Sequence, residues 1–162
     1  RHRQRARRAR RQRLGALMQV FLGTSVLGAA SESSHPHHAR ALPVLRRVAR
    51  GEDQSFIGVQ SIAETYAALT RLPVPPPVPP QRNRPHHPGE HPQAFHARPC
   101  RGAEFLQALT AVQDSGWPGA KVHDALQLAC ATRLGAERNH TFNRGDFRGL
   151  APAELQSRIC SP

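Results

Sequence analysis

Acidic residues are scarce in this chain: 11 Asp and Glu stand against 23 Lys and Arg over 162 residues. An acid framed by apolar neighbours is therefore a poor candidate for surface filler. Aromatic content is 5% and hydrophobic content 38%, with 15 prolines, which places the sequence between a globular domain and a chain with disordered segments. Cysteine is limited to Cys100, Cys130 and Cys160. An odd number of isolated cysteines with no CxxC spacing argues against a disulfide framework and a thiolate metal site, and suits a reducing cytosol. Long hydrophobic runs are also missing. Leu14 to Leu27 is interrupted by Gln19, Gly23, Thr24 and Ser25, leaving it too short and too polar to span a membrane.

What is abundant is positive charge, unevenly spread. Residues 1–13 hold eight arginines and no acid, so much of the +12 balance belongs to this stretch. It reads as a basic disordered extension over 1–17, attracted non-specifically to phosphate. An alternative reading takes the Arg-rich start, the apolar run and Gly28-Ala29-Ala30 as a secretory signal, with a mature N-terminus near Ser31. Against it stand the polar interruptions and the only methionine, Met18, placed just before Gln19-Val20-Phe21-Leu22 as a first β-strand would require.

Met18–Leu22 is expected to be a buried strand, with Thr24 or Ser25 capping a following helix that carries Val26, Leu27 and Ala30. A helix is expected over residues 39–50, with Leu42, Leu45 and Val48 on one face and Gly51 closing it. Residues 55–59 read as a second strand. Ser61 is the expected cap of a helix with Ile62, Tyr66 and Leu69 at helical spacing, ended by Pro73. From Pro73 to Pro99 the texture changes: ten of the 15 prolines and four of the ten histidines lie there, without apolar periodicity. This stretch is expected to be extended or disordered. Phe105, Leu106, Leu109 and Val112 then make one helix, and Val122, Ala125, Leu126 and Ala129 line another that stops at Gly135. Residues 138–142 are a candidate last strand. Strands alternating with helices give an α/β fold with a small central parallel sheet.

Four short stretches place chemistry on those elements. They are Gly23-Thr24-Ser25 at the end of the first strand, Ala63-Glu64 in a helix start, His123-Asp124-Ala125-Leu126 in another, and Thr141-Phe142-Asn143-Arg144-Gly145-Asp146-Phe147 after the last strand. In this order they resemble the motifs of PIN-domain nucleases, closest to the VapC-type toxins of toxin–antitoxin pairs. That family opens with Asp-Thr-Ser or Asp-Thr-Asn, continues with Ala-Glu and Tyr/His-Asp-Ala-Leu, and closes with Thr-x-Asn-x-x-Asp-Phe. The resemblance covers about two-thirds of the chain. It implies a PIN-like three-layer fold over 18–150, interrupted by the low-complexity segment 73–101 in place of one strand and helix, with 151–162 as a C-terminal tail.

The resemblance also implies a chemistry. The family gathers carboxylates at the carboxyl ends of parallel strands, where a divalent cation relieves their repulsion. A Mg²⁺-bound water (Mn²⁺ being the substitute) then attacks an RNA phosphodiester. By position, Asp124 would be a metal ligand, Glu64 and Asp146 would complete the acidic, catalytic cluster, and Thr24, Ser25 and Asn143 would support it. The partners implied are an RNA substrate, a cognate antitoxin and a second copy in a homodimer, all in the cytoplasm with no membrane involved.

Two departures shape the expectation. Gly23 occupies the position of the family's first metal-binding Asp and offers no side chain, so poor or absent cleavage is expected. Residues 76–100 and the Arg-rich start share a foreign texture, consistent with translation in another frame in a decayed gene. The competing function class is a non-enzymatic basic RNA-binding protein, or a pseudogene-like remnant. Taken singly, Glu64 and Asp124 would be exposed helix-start charges favoured by the macrodipole. His35, His37 and His38 read as a solvated helix start rather than a metal clip, because no second ligand group at zinc spacing accompanies them.

Overall fold

A strand whose Val20, Phe21 and Leu22 are all buried has no face to give to solvent, and such strands belong in the middle of a parallel sheet. The computed structural model, which describes residues 17–73 and 95–162, places it there. β1 (Met18–Leu22) lies between β2 (Asp53–Gly58) and β4 (Arg138–His140), with β3 (Phe95–Arg98) and β5 (Ile159–Cys160) at the edges. The order is β3-β2-β1-β4-β5 and every pairing is parallel. Phe21 stands opposite Phe56 on one side of β1 and Asn139 on the other.

Helices cover both faces, giving the three-layer α/β arrangement expected. Alternation along β1 divides its side chains between them. Val20 and Leu22 pack with Val26 and Ala29 of α1 (Thr24–Ser31), with Ala41, Val44, Leu45 and Val48 of α2 (His38–Ala49), and with Ile57. Phe21 turns the other way, against Phe56, Cys130 and Ala131. Beside it lies a second apolar layer. Ala108 and Val112 of α4 (Gly102–Ser115) meet Ala125 and Leu126 of α5 (Val122–Arg133), and Phe147 and Leu150 of α6 (Arg144–Leu150). A turn of 3₁₀ helix over Gly119–Lys121 leads into α5. α3 (Val59–Thr70) joins β2 towards β3, and the short α7 (Ala153–Gln156) precedes β5. No described helix is long and apolar enough to cross a membrane.

Several local expectations are corrected. α1 and α3 begin after Gly23 and Gly58 rather than at Thr24, Ser25 or Ser61, and neither N-cap position has a side-chain hydrogen bond. Ser61 is fully buried inside α3, while Tyr66 is 42% exposed. α4 exposes most of its expected core face: Phe105, Leu106 and Leu109 are 47%, 68% and 48% exposed, and Ala108 with Val112 packs inward instead. Phe95–Arg98, inside the stretch read as disordered, is a strand paired with β2. It succeeds as an edge strand because it pairs with β2 along its length and because Phe95 and Ala97, two residues apart on one face, pack partly buried against the core. Residues 74–94 of the Pro-rich segment and 1–16 of the basic extension lie outside the described residues. The C-terminal residues are no tail: Ile159 is buried and β5 pairs with β4.

Candidate active site at the carboxyl ends of the strands

The chain leaves β1 towards β2 and β3 on one side, then returns to place β4 and β5 on the other. The order therefore reverses between β1 and β4, where open α/β sheets form a crevice beyond their carboxyl ends. Gly23 sits at this point. Its N–H donates to the His140 carbonyl at the end of β4, at 2.9 Å. A cleft of about 540 Å³ opens beside it, lined by Thr24, Glu64, His123, Asp124, Gln127 and Phe142 among others.

Glu64, one turn into α3, is held from three directions. The Thr24 hydroxyl donates to its Oε2 at 2.7 Å, and Gln127 Nε2 donates to the same oxygen at 3.0 Å. His123 Nδ1 lies 3.1 Å from its Oε1. Gln127 also accepts the Thr24 backbone N–H on its Oε1 at 3.1 Å and donates to the Thr24 hydroxyl at 2.9 Å. These bonds join the start of α1, the second turn of α3 and the second turn of α5 into one ring of polar side chains.

Asp124 lies in the first turn of α5 and Asp146 in the first turn of α6, both favoured there by the helix dipole. Burial pushes the Asp124 carboxyl above the usual carboxylate range; nearby Lys121 opposes that rise, while Asp146 and Glu64 add to it. The three acids thus share one electrostatic neighbourhood. Lys121 lies between two of them. Its ammonium pairs with Asp146 and lies 3.8 Å from Asp124 Oδ2, and the hydrogen bond to Asp146 raises its own pKa.

The supporting residues divide the work. Thr24 reaches a carboxylate, that of Glu64. Ser25 does not: its hydroxyl accepts the Phe142 backbone N–H at 3.0 Å and lies 3.3 Å from the buried Thr141 hydroxyl. Thr141 Oγ1 in turn accepts the Asn143 N–H at 3.0 Å. Ser25 and Thr141 therefore shape the turn that carries Asn143 and Asp146. Asn143 takes the N-cap position of α6 without a side-chain capping bond.

The donors do not fit a resident divalent cation as they stand. Among the described residues no three His, Cys, Asp or Glu side chains group closely enough to hold a metal ion. Gly23 contributes none, and a Cβ built there would lie 3.1 Å from both Gln127 Oε1 and the His140 carbonyl oxygen. Sequence reasoning missed Gln127 and Lys121. A single glutamine within Ala125-Leu126-Gln127-Leu128-Ala129 was a signal in plain view, since a polar side chain on a buried helix needs partners.

The fold is similar to that of solved structures. VapC20 of Mycobacterium tuberculosis, a sarcin–ricin loop cleaving toxin, is 17% identical, with a TM-score of 0.65 over 83% of this chain and 97% of that one. FitAcB from Neisseria gonorrhoeae is 16% identical, with a TM-score of 0.55 over 81% of this chain and 92% of that one. No protein-family model matches the sequence, and no curated protein matches it at a significant level.

Proposed function

Starting from a VapC-type PIN-domain fold, we propose that this chain is an endoribonuclease-like protein of the toxin–antitoxin kind that binds RNA without Mg²⁺- or Mn²⁺-dependent cleavage. The observation that carries this reading is Gly23. It stands at the end of the central strand, beside the acids that the motifs pick out, with no carboxylate to offer and with Gln127 directly against it.

The cleft supports the binding half of the proposal. Thr24, His35, His37 and His123 supply hydrogen-bonding groups along its wall, and the stacked His37–Phe142 pair supplies aromatic surface. RNA single strands are commonly held by such a mixture of polar contacts and stacking. Glu64 and Asp124 line the acidic end of the cleft, which repels phosphate when no cation bridges the two and so leaves the RNA to the histidine-lined wall. Asp146 pairs with Lys121 outside that lining, and Thr24, Ser25 and Asn143 hold the acidic end in shape. The Arg-rich residues 1–13 add the sequence-independent attraction to phosphate. An antitoxin would cover the cleft. The exposed Phe105, Leu106 and Leu109 on α4 provide the surface for a homodimer. Cytoplasmic RNA is the substrate class implied.

Incubation with a structured RNA in Mg²⁺, in Mn²⁺ and in chelator tests the proposal. The expected result is a retarded, intact RNA in all three. Metal-dependent cleavage that disappears in Asp124→Asn would overturn it and establish an active nuclease.

A further inference from the structure

Lys121 is the only lysine in the chain; the other 22 basic residues are arginine. That single ammonium lies within the acidic cluster, paired with Asp146 and close to Asp124. Its position is built rather than incidental. The Trp117 ring lies 5.4 Å from Lys121 Nζ, a cation–π distance. Trp117 in turn packs on Gly149 of α6, where an added Cβ would come within 2.8 Å of the ring. Gly149 therefore lets Trp117 approach, and Trp117 backs the lysine against the two aspartates.

Gln127 completes the arrangement on the other side. It is 2% exposed, and its amide spends both donor and acceptor capacity on Thr24 and Glu64. The space beside Gly23 where a first carboxylate would begin is bounded by Gln127 Oε1 and the His140 carbonyl.

We propose that Lys121 and Gln127 together substitute for a metal ion and its first carboxylate ligand, so that this acidic site is charge-compensated and indifferent to divalent cations. Lys121 supplies the positive charge that carboxylates sharing a site require. Gln127 supplies the neutral hydrogen-bonding group where Gly23 leaves none. A consequence is that Gly23→Asp alone does not recreate a cation site, because the Lys121 ammonium still holds the position of the cation. This inference rests on the functional reading above only in assigning the cluster to a PIN-type centre.

Thermal unfolding of the full chain in millimolar Mn²⁺ and in chelator provides the test. The unaltered protein and Gly23→Asp are each expected to melt at one temperature in both. Gly23→Asp/Lys121→Met is expected to melt roughly 3–6 °C higher in Mn²⁺, as a ligand that binds only the folded state requires. Mn²⁺ stabilisation of the unaltered protein, or of Gly23→Asp, overturns the proposal, and so does a folded double variant that ignores Mn²⁺. The unaltered protein keeps the test decisive even if the double variant does not fold. RNA retardation in chelator separates the two readings: a protein indifferent to Mn²⁺ that leaves RNA free supports this inference and removes the functional one.

Discussion

Gln127 holds Thr24 with both ends of its amide: the oxygen accepts the Thr24 N–H at 3.1 Å, and the nitrogen donates to the Thr24 hydroxyl at 2.9 Å. The same nitrogen reaches Glu64 at 3.0 Å, so one buried side chain ties the start of α1 to α3. Gln127→Ala would remove three hydrogen bonds made by a buried amide and leave a void behind the part-buried Thr24 and Glu64. Leaving a buried polar group unsatisfied costs more than an average hydrogen bond contributes. The expected loss is about 2–4 kcal/mol of stability, read from urea unfolding. A variant as stable as the parent would show that Thr24 and Glu64 find other partners.

The acids and the central strand were legible in the sequence for the same reason. Val20-Phe21-Leu22 is apolar without alternation, which only a strand buried on both faces tolerates, and Asp124 and Asp146 each sit in the first turn of a helix, where an acid is locally stable, whereas Glu64, read as a helix-start acid, lies in the second turn of α3. Both signals lie within a few residues. The rest depends on distant partners. Phe95–Arg98 holds one histidine and one arginine among four residues, and it becomes a strand by pairing with β2 at the sheet's edge. Ile159–Cys160 is too short to show any period. Phe105, Leu106 and Leu109 recur as a core face would, yet α4 turns Ala108 and Val112 inward, so periodicity gave the helix without its orientation. Gly23 and Gly58 precede their helices without side-chain caps, leaving nothing for a capping rule to find. Lys121 carries no sign of its role until α6 brings Asp146 to it across 25 residues.

His140 gives the fold an acid-sensitive point. Burial, and secondarily Arg138, hold its pKa below the ordinary value of 6.5, against an opposing pull from Asp53. The unfolded chain therefore takes up a proton that the folded chain resists. The stability tied to a neutral His140 is fully present above the unfolded value of 6.5 and is lost as the pH falls through the lower folded one. Urea midpoints measured across this range are expected to fall more steeply with acid in the parent than in His140→Asn. Histidine 35, also lowered mainly by burial, leaves a residual slope in both proteins. Parallel curves would show that His140 does not contribute.

The exposed face of α4 bears on assembly. Phe105, Leu106 and Leu109 lie within two turns of the same helix and are each about half exposed or more. Contiguous apolar surface of this kind commonly marks an interaction site. Leu106 is the most exposed at 68%, so Leu106→Lys should leave the fold intact. Light scattering coupled to size exclusion is expected to show a dimer for the parent and a monomer for the variant at equal concentration. A parent that elutes as a monomer would leave this face to another partner.

The Arg-rich stretch should govern how RNA affinity responds to salt. Each phosphate contact made by a basic side chain releases condensed counterions, and for single strands the logarithm of the binding constant falls by about 0.7 per contact for each tenfold rise in salt. Residues 1–13 carry eight arginines. If half of them touch phosphate, deleting the stretch reduces the slope by roughly 3. Binding by the cleft itself should persist at low salt, because hydrogen bonds and stacking offered by neutral side chains along its wall would not depend on counterion release. Fluorescence anisotropy of a labelled RNA over a salt series measures both quantities. A truncated protein with the parent's slope would place the phosphate contacts on the folded domain, with Arg40, Arg138, Arg144 and Arg148 as the next residues to substitute.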